Sequence, residues 1–330
     1  MNLPLFSACF AALSVTLYVL LDGFDLGVGA LLLLQRDEGS RDHMVDSITP
    51  TWDGNETWLI MTGVTLLAAF PTAYGILMPA LYLPIIVMLL ALGLRGVSFE
   101  FRAQAKQYRQ KWDLVFGLGS IVAACMQGLI LGALLQGVSV EGIAFSGSVF
   151  DCFRPFPLLC GLCVLFAYVV LGGCWLQFKA TTLLQTFAER TLRITLPVFI
   201  AIFVTTATIS LSIQPGIRVA WQAHTMLLIA ASGSMLAAAL ILYAGIGKRP
   251  DVRPFIASLV MVGTGVAGLA VLVFPDIVPF RVSLWAASAS RLSQTFLLTG
   301  AIFITPVVLA YSFFAYWVFR GKTPEKGWDG

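Results

Sequence analysis

The 330-residue sequence predicts an all-α polytopic membrane protein with nine transmembrane helices. Hydrophobic residues make up 58% of the chain and charged residues only 11%, and the mean hydropathy is +0.89. A soluble domain averages roughly 25% charged residues, so the composition excludes an ordinary soluble protein. Two further observations give the helix number: a series of bilayer-length apolar segments, and basic residues concentrated in alternate loops.

The apolar segments are counted by the helix length that a bilayer requires. About 20 apolar residues cross a hydrocarbon core of about 30 Å. By this criterion the predicted transmembrane helices are 5–34, 51–70, 74–97, 114–137, 155–178, 194–214, 222–245, 255–275 and 293–319.

The basic residues predict which side of the membrane each loop faces. All but four of the 20 lysines and arginines fall in the odd-numbered loops and the C-terminal tail; the exceptions are Arg154, Arg218, Arg281 and Arg291. Cytoplasmic loops carry an excess of Lys and Arg, so the N-terminus is predicted to be periplasmic and the C-terminus cytoplasmic. An odd number of helices is required for this orientation.

A weak internal repeat divides the chain. Residues 17–26 align with residues 167–176, and five of the ten positions are identical. Chance is an alternative explanation, because the matching residue types are common in membrane helices. If the repeat is genuine, the single membrane domain 1–330 consists of two four-helix halves in the same orientation, 1–137 and 150–275, followed by an additional helix, 293–319.

Four carboxylates lie inside the first two predicted helices, in pairs that each share one helix face. Asp22 and Asp25 interrupt one apolar stretch, and Asp53 and Glu56 open the next. An ionised carboxylate at the bilayer centre costs about 2.5 kcal/mol or more, so such residues usually face a protein interior and mark an ion or proton path. At about 1.5 Å per residue, Asp22 and Asp25 lie roughly 18 and 13 Å from the inner end of their helix, and Asp53 and Glu56 about 5 and 9 Å deep. The acids therefore form a ladder from the cytoplasm to mid-membrane, and Arg95 is the nearest cation along the sequence.

Structural roles compete with functional ones at the second pair of acids. Asp53 and Glu56 lie in the first turns of a helix that Thr49 or Thr51 could cap, with Pro50 in its first turn. The helix dipole alone favours acidic residues there.

At the first pair, Asp25 could simply neutralise Arg95, whereas Asp22 lacks such an explanation and is predicted to be functional. The neighbouring glycines predict a close helix–helix contact, and the tryptophans of the second helix are expected to be packing or interface aromatics. These residues are Gly23, Gly27, Gly29, Trp52 and Trp58.

The sequence has only two histidines, and neither lies at mid-depth in an apolar helix. His43 lies in a cytoplasmic loop and His224 at an outer helix end; haem iron is usually held by histidine, so a multi-haem centre cannot be built on this chain alone. Cys160 and Cys163 have redox or zinc spacing, but they lie within a helix and are expected to be buried thiols. No metal ligand and no catalytic residue is expected on this chain.

Several segments together carry a family resemblance: DGFDLGVG at 22–29, WDGNETW at 52–58, AFP at 69–71, LRGVSFE at 94–100, RQKWD at 109–113 and LLQG at 134–137. These segments resemble subunit II of the cytochrome bd-type quinol oxidases, in a short form similar to the cyanide-insensitive branch. The resemblance is specific over the first 137 residues and extends weakly to 274–275 and 283–285. Many members have an aspartate where this chain has Ala286.

The resemblance implies a fold of two four-helix bundles plus a peripheral helix, in agreement with the nine segments. It also implies a haem-free subunit II in a bacterial inner-membrane complex that oxidises quinol and reduces oxygen to water. In that complex, subunit I carries two b haems and haem d. A structural quinone in some members, a small single-helix accessory subunit and membrane lipid are the other partners considered, and no nucleic acid is expected.

The resemblance also assigns roles to residues. Positions matching Asp22 and Asp53 are associated with a cytoplasmic proton path toward haem d. The leading hypothesis makes Asp53 the entry, Asp22 the inner relay and Glu56 an auxiliary acid. The residues expected to act as charge partners or structural supports are Asp25, Arg95, Trp52 and Asn55.

Two other functional classes fit part of the sequence. A proton-coupled secondary transporter would explain acids in helices and an internal repeat, but transporter repeats often include broken helices around a midplane site. The repeat here is parallel and its second copy has no acid. A purely structural assembly subunit is the third alternative.

Overall fold

The computed structural model describes residues 2–105, 107–180, 182–248 and 252–323. The chain is almost entirely helical. Its helices are α1 (Leu3–Leu32), α2 (Glu38–Asp46), α3 (Trp52–Ala69), α4 (Pro71–Ala80), α5 (Tyr82–Gln104), α6 (Arg109–Gln136), α7 (Pro155–Lys179), α8 (Thr182–Ile213), α9 (Pro215–Ala223), α10 (Thr225–Gly245), α11 (Arg253–Val273) and α12 (Arg291–Val318). Two short antiparallel hairpins, β1 (Val140–Glu141) with β2 (Ala144–Phe145) and β3 (Asp276–Val278) with β4 (Val282–Ser283), and a 3₁₀ turn at Asp151–Phe153 complete the described chain.

Within the described residues, eight helices are long and apolar enough to cross a membrane. They are α1, α5, α6, α7, α8, α10, α11 and α12. These confirm an all-α polytopic membrane protein. The predicted segment 51–70 is a helix, α3, but it is not among the eight, because its 18 residues include Asp53, Asn55 and Glu56.

Several predicted boundaries were wrong. The segment 74–97 contains a break at Leu81, and α5 extends to Gln104. Pro84 accounts for the break, because in a continuous helix its ring would collide with the carbonyl group of Ala80 and its missing N–H would remove a hydrogen bond. Helix α8 begins twelve residues before the predicted start at 194, and α9 occupies the predicted loop between the segments 194–214 and 222–245.

The predicted cap of α3 was also wrong. Thr51 is the N-cap residue, but its hydroxyl donates to the carbonyl of Ile48 (3.3 Å) instead of capping the helix, and Pro50 lies before the first turn. Asp53 does lie in the first turn, where the helix dipole favours it.

Helix α1 is central to the packing. It contacts α3, α6 and α7, and less extensively α11 and α12. The remaining large contacts join α5 to α6, α6 to α7, α7 to α8 and α10 to α11. Most of α12 is exposed, apart from its contacts with α1 and α3.

The glycines of α1 make the close contacts that the sequence predicts. A Cβ atom on Gly27 would collide with the backbone carbonyl of Tyr168 in α7, and one on Gly172 would collide with the backbone of Gly27. On the same helix, a Cβ atom on Gly29 would collide with Ser120 of α6. Helix α7 therefore approaches α1 to backbone contact, as small residues allow in membranes, and the Ser120 side chain of α6 packs directly on Gly29.

Cys160 and Cys163 are buried free thiols on α7, as predicted.

Replacing Gly27 with leucine should separate α1 from α7, because the new side chain meets backbone that cannot move aside. Overpacking of this kind costs about 1–3 kcal/mol or more. We expect a clear fall in the thermal midpoint of the purified protein. The matched control is Gly93→Leu in α5, where a Cβ atom meets nothing within 4 Å. Equal midpoints for the two variants would contradict the close contact.

Candidate functional site

A buried arginine gathers three carboxyl groups from two other helices. Arg95 of α5 is completely buried. Its Nη2 lies 2.8 Å from Oδ1 of Asp22 and 3.8 Å from Oδ2 of Asp25, and its Nη1 lies 3.3 Å from Oε2 of Glu56. One guanidinium therefore connects α1, α3 and α5. We call Asp22, Asp25, Glu56 and Arg95 the acid cluster.

The acids differ sharply in exposure. Asp22 and Asp25 are fully buried, whereas the side chain of Glu56 retains 26% of its accessible surface. Asp53, one turn before Glu56 on α3, is exposed and forms no ion pair among the described residues. Three of the four acids therefore meet at Arg95, Asp53 lies outside the cluster, and exposure rises from the two aspartates through Glu56 to Asp53.

Asp25 is hydrogen-bonded by Asn55, which in turn is hydrogen-bonded by Tyr316. The Asn55 amide donates to Oδ2 of Asp25 at 2.7 Å, and the Tyr316 hydroxyl of α12 donates to Oδ1 of Asn55 at 2.8 Å. A small cavity of about 10 Å³ lies beside Asn55 and Tyr316, bounded also by Thr51 and Ser312. A cavity of this size with polar walls is about large enough for one water molecule.

Aromatic rings cover the guanidinium. The Arg95 Cζ lies 5.4 Å from the ring centroid of Trp52 and 5.6 Å from that of Phe99. The two rings stack at 4.7 Å with an interplanar angle of 11°. Trp52 is therefore more than a packing aromatic, because cation–π attraction is strongest where the charge is desolvated.

The cluster has unused hydrogen-bonding capacity. Oδ2 of Asp22, Oδ1 of Asp25 and Nε of Arg95 are buried and have no hydrogen-bond partner in the described part of the chain. Three carboxyl groups around one guanidinium leave an excess of negative charge unless some carboxyls carry protons. The arrangement can therefore hold and exchange protons.

A second ion-pair network lies at the end of α5 nearer α2. Arg102 pairs with Asp113 of α6 and, at 2.6 Å, with Asp42 of α2. Arg41 approaches Asp113 at 3.2 Å, and Arg109 approaches Asp42 at 3.1 Å. This network fastens α2 to α5 and α6.

Four residues beside the acid cluster had not been predicted as site residues: Tyr18, Gln127, Tyr168 and Tyr316. One signal was present in the sequence. Gln127 is a polar residue inside an apolar helix, and Tyr18 and Tyr168 occupy equivalent positions in the repeat.

The described residues offer no metal site: no group of three or more His, Cys, Asp or Glu side chains could hold an ion there. His43 lies in α2 and His224 at the start of α10, outside the acid cluster.

Comparisons with known proteins identify relatives along nearly the whole chain. The family model for cytochrome bd terminal oxidase subunit II matches residues 3–319. A probable cytochrome oxidase subunit 2 of Haemophilus influenzae is 31% identical over 337 residues, covering 89% of this chain and 88% of the relative. Cytochrome bd-I ubiquinol oxidase subunit 2 of Escherichia coli is 27% identical, covering 94% and 92%. In fold, the chain is similar to bd oxidase from Geobacillus thermodenitrificans, with a TM-score of 0.75 at 16% identity over 97% and 99% of the two chains.

Replacing Arg95 with methionine should strongly destabilise the protein, because two fully buried carboxyl groups lose their cation. Breaking a buried ion pair by removing one partner costs about 3–5 kcal/mol. The measurement is the thermal midpoint in detergent, with the exposed Arg281→Met as the control. Adding Asp22→Asn and Asp25→Asn to Arg95→Met should restore part of the loss. An unchanged midpoint in Arg95→Met would contradict the ion-pair assignment.

Proposed function

Because the chain belongs to the subunit II family of cytochrome bd terminal oxidases, we propose that it conducts protons from the cytoplasm toward the haem-bearing subunit of its complex. The family assignment confirms the resemblance read from the sequence. The chain is a subunit of a quinol oxidase complex in the inner membrane, and its partner is a subunit I that carries the haems.

The observation that carries the proposal is the fully buried contact of Arg95 with Asp22. Intramembrane ionisable residues are costly and usually serve ion or proton movement. A purely structural ion pair would need one carboxyl group for one guanidinium, whereas this cluster has three. The surplus carboxyls give protons a place to bind in an otherwise apolar interior.

The exposure gradient sets the direction of transfer. Asp53 is the entrance because it is exposed, Glu56 is the auxiliary acid at the edge of the cluster, and Asp22 is the inner relay. Arg95 limits the negative charge. Asp25 is held by Asn55 and serves as a structural acid that shares the same cation.

The proposal also includes the arrangement of the helices in the membrane. Helix α3 is the ninth transmembrane helix; near its start, Asn55 contacts α1 and α12 and Glu56 contacts α5, while Asp53 is exposed. Helices α1, α3, α5 and α6, within 1–137, form one four-helix half; α7, α8, α10 and α11, within 150–275, form the other; and α12 is peripheral. The N-terminus lies in the periplasm and the C-terminus in the cytoplasm, because the odd-numbered loops carry the basic residues.

The complex contains two b haems and haem d, all on subunit I, and reduces oxygen to water. This chain contributes protons and a scaffold to that reaction rather than a catalytic residue. A structural quinone, lipid and a small single-helix subunit are further components of the complex under the same proposal.

Asp22→Asn should leave the complex assembled while reducing oxygen consumption severely. Asparagine keeps the size of the side chain but cannot carry a proton as a carboxylic acid does, and Arg95 retains two carboxyl partners. The measurements are the reduced-minus-oxidised haem spectrum and the steady-state oxygen consumption with quinol as donor. Asp22→Glu should recover part of the activity.

The matched control for Asp22→Asn is Glu141→Gln, which removes an exposed carboxyl group from the β1–β2 hairpin and should leave turnover unchanged. Normal turnover in Asp22→Asn would remove Asp22 from the proton path. Loss of the haem spectrum in Asp22→Asn would instead favour a purely structural assembly role.

The orientation is tested by reporter fusions near Lys106 and after Lys326, two positions that lie outside the described residues. Both fusions should report the cytoplasm, because all but four of the 20 basic residues lie on that side. A fusion at Gly142, between β1 and β2, should report the periplasm. If the first two fusions report opposite sides, the number of membrane crossings is not nine.

A further inference from the structure

A hydrogen-bonded chain of three side chains crosses from α7 through α6 to α1. The Tyr168 hydroxyl donates to Oε1 of Gln127 at 2.7 Å, and Nε2 of Gln127 donates to the Tyr18 hydroxyl oxygen at 2.7 Å. Tyr18 and Tyr168 are almost fully buried. Polar groups in a membrane interior are costly unless they are paired, so the three residues form a built unit rather than an accidental contact.

The orientation of the Gln127 amide gives the hydrogen bonds their direction. Its carbonyl oxygen accepts from the Tyr168 hydroxyl, and its nitrogen donates to the Tyr18 oxygen. Tyr18 accepts that bond through its oxygen. Its own proton therefore remains available to a third group.

That third group is the carboxyl of Asp22. Asp22 follows Tyr18 by one helical turn, and helical side chains lean toward the preceding turn. Both side chains are buried on the same face of α1. Oδ1 of Asp22 is bound by Arg95, whereas Oδ2 is buried without a partner in the described part of the chain.

We infer that Tyr18 is a positioning residue for proton transfer, oriented by Gln127 and Tyr168 so that its hydroxyl is available to donate to the second, unpartnered oxygen of Asp22. This inference rests on the proposed role of Asp22. Arg95 and Tyr18 then hold the two carboxyl oxygens from opposite sides, which fixes the orientation in which Asp22 receives and releases its proton. The hydroxyl acts through Asp22 and is not itself a carrier.

The experiment is a double-mutant cycle on the assembled oxidase. Oxygen consumption is measured for Tyr18→Phe, Asp22→Asn and the combined variant. We expect Tyr18→Phe to lower turnover on the order of tenfold, equivalent to losing one hydrogen bond to a charged group. In the Asp22→Asn background, Tyr18→Phe should cause no further loss. The control is Tyr243→Phe, which removes a half-exposed hydroxyl from α10 and should leave turnover unchanged.

Infrared spectroscopy gives an independent reading that a merely structural role of Tyr18 would not affect. The carboxylic acid stretching band that disappears in Asp22→Asn should move to higher frequency in Tyr18→Phe, because one hydrogen bond to the carboxyl is lost. Gln127→Met should move the same band in the same direction by a smaller amount, since Tyr18 then keeps its hydroxyl but loses its orientation. If Tyr18→Phe does not assemble, the Gln127→Met variant still tests the inference.

Each result decides between the two proposals. An equal loss in both backgrounds, or an unmoved infrared band, would overturn the positioning role of Tyr18. Full activity in Tyr18→Phe together with low activity in Asp22→Asn would overturn it as well, while leaving the proton path intact. Normal activity in Asp22→Asn would overturn the proposed function, and the positioning role would fall with it.

Discussion

The buried guanidinium of Arg95 is the constraint on which the packing of the first half depends. A charge without water needs partners, and Arg95 finds them on α1 and α3 at 2.8, 3.3 and 3.8 Å. Those three helices must keep their relative depth and rotation, since a small shift would leave an uncompensated charge in an apolar interior. The stacked rings of Trp52 and Phe99 complete the enclosure. One cation therefore sets the arrangement of elements that are far apart in sequence.

The glycines of α1 help to exclude water from the acid cluster. Because Gly27 and Gly29 lack side chains, α7 and α6 reach the backbone of α1 and leave no gap for solvent behind Asp22 and Asp25. Water then has access mainly from the α3 side, where Glu56 is partly exposed and Asp53 is exposed. The acid cluster is therefore closed by α6 and α7 on one side and reachable by water from α3 on the other, so protons can enter it from the α3 side.

The sequence predicted what depends on composition and local spacing. The apolar segments, the pairing of acids on helix faces and the close-packed glycines all follow from residue type and periodicity. The break at Leu81 was missed, because an apolar run continues through it and only Pro84 marks the interruption. The chain of Tyr18, Gln127 and Tyr168 was missed for a different reason: hydrogen bonds between three helices depend on their packing, which no single segment encodes.

The aligned positions 17–26 of α1 and 167–176 of α7 have different structural roles. Tyr18 and Tyr168 are equivalent and bind the same glutamine. At the position equivalent to Asp22, α7 has Gly172, which packs against the backbone of Gly27. At the position equivalent to Asp25 it has Trp175, which stacks on Phe24 at 4.4 Å. Helix α7 thus supplies the tight apolar wall against which α1 can bury its charges. Two acid-bearing copies could not pack this closely, because each would need its own cation and its own apolar wall.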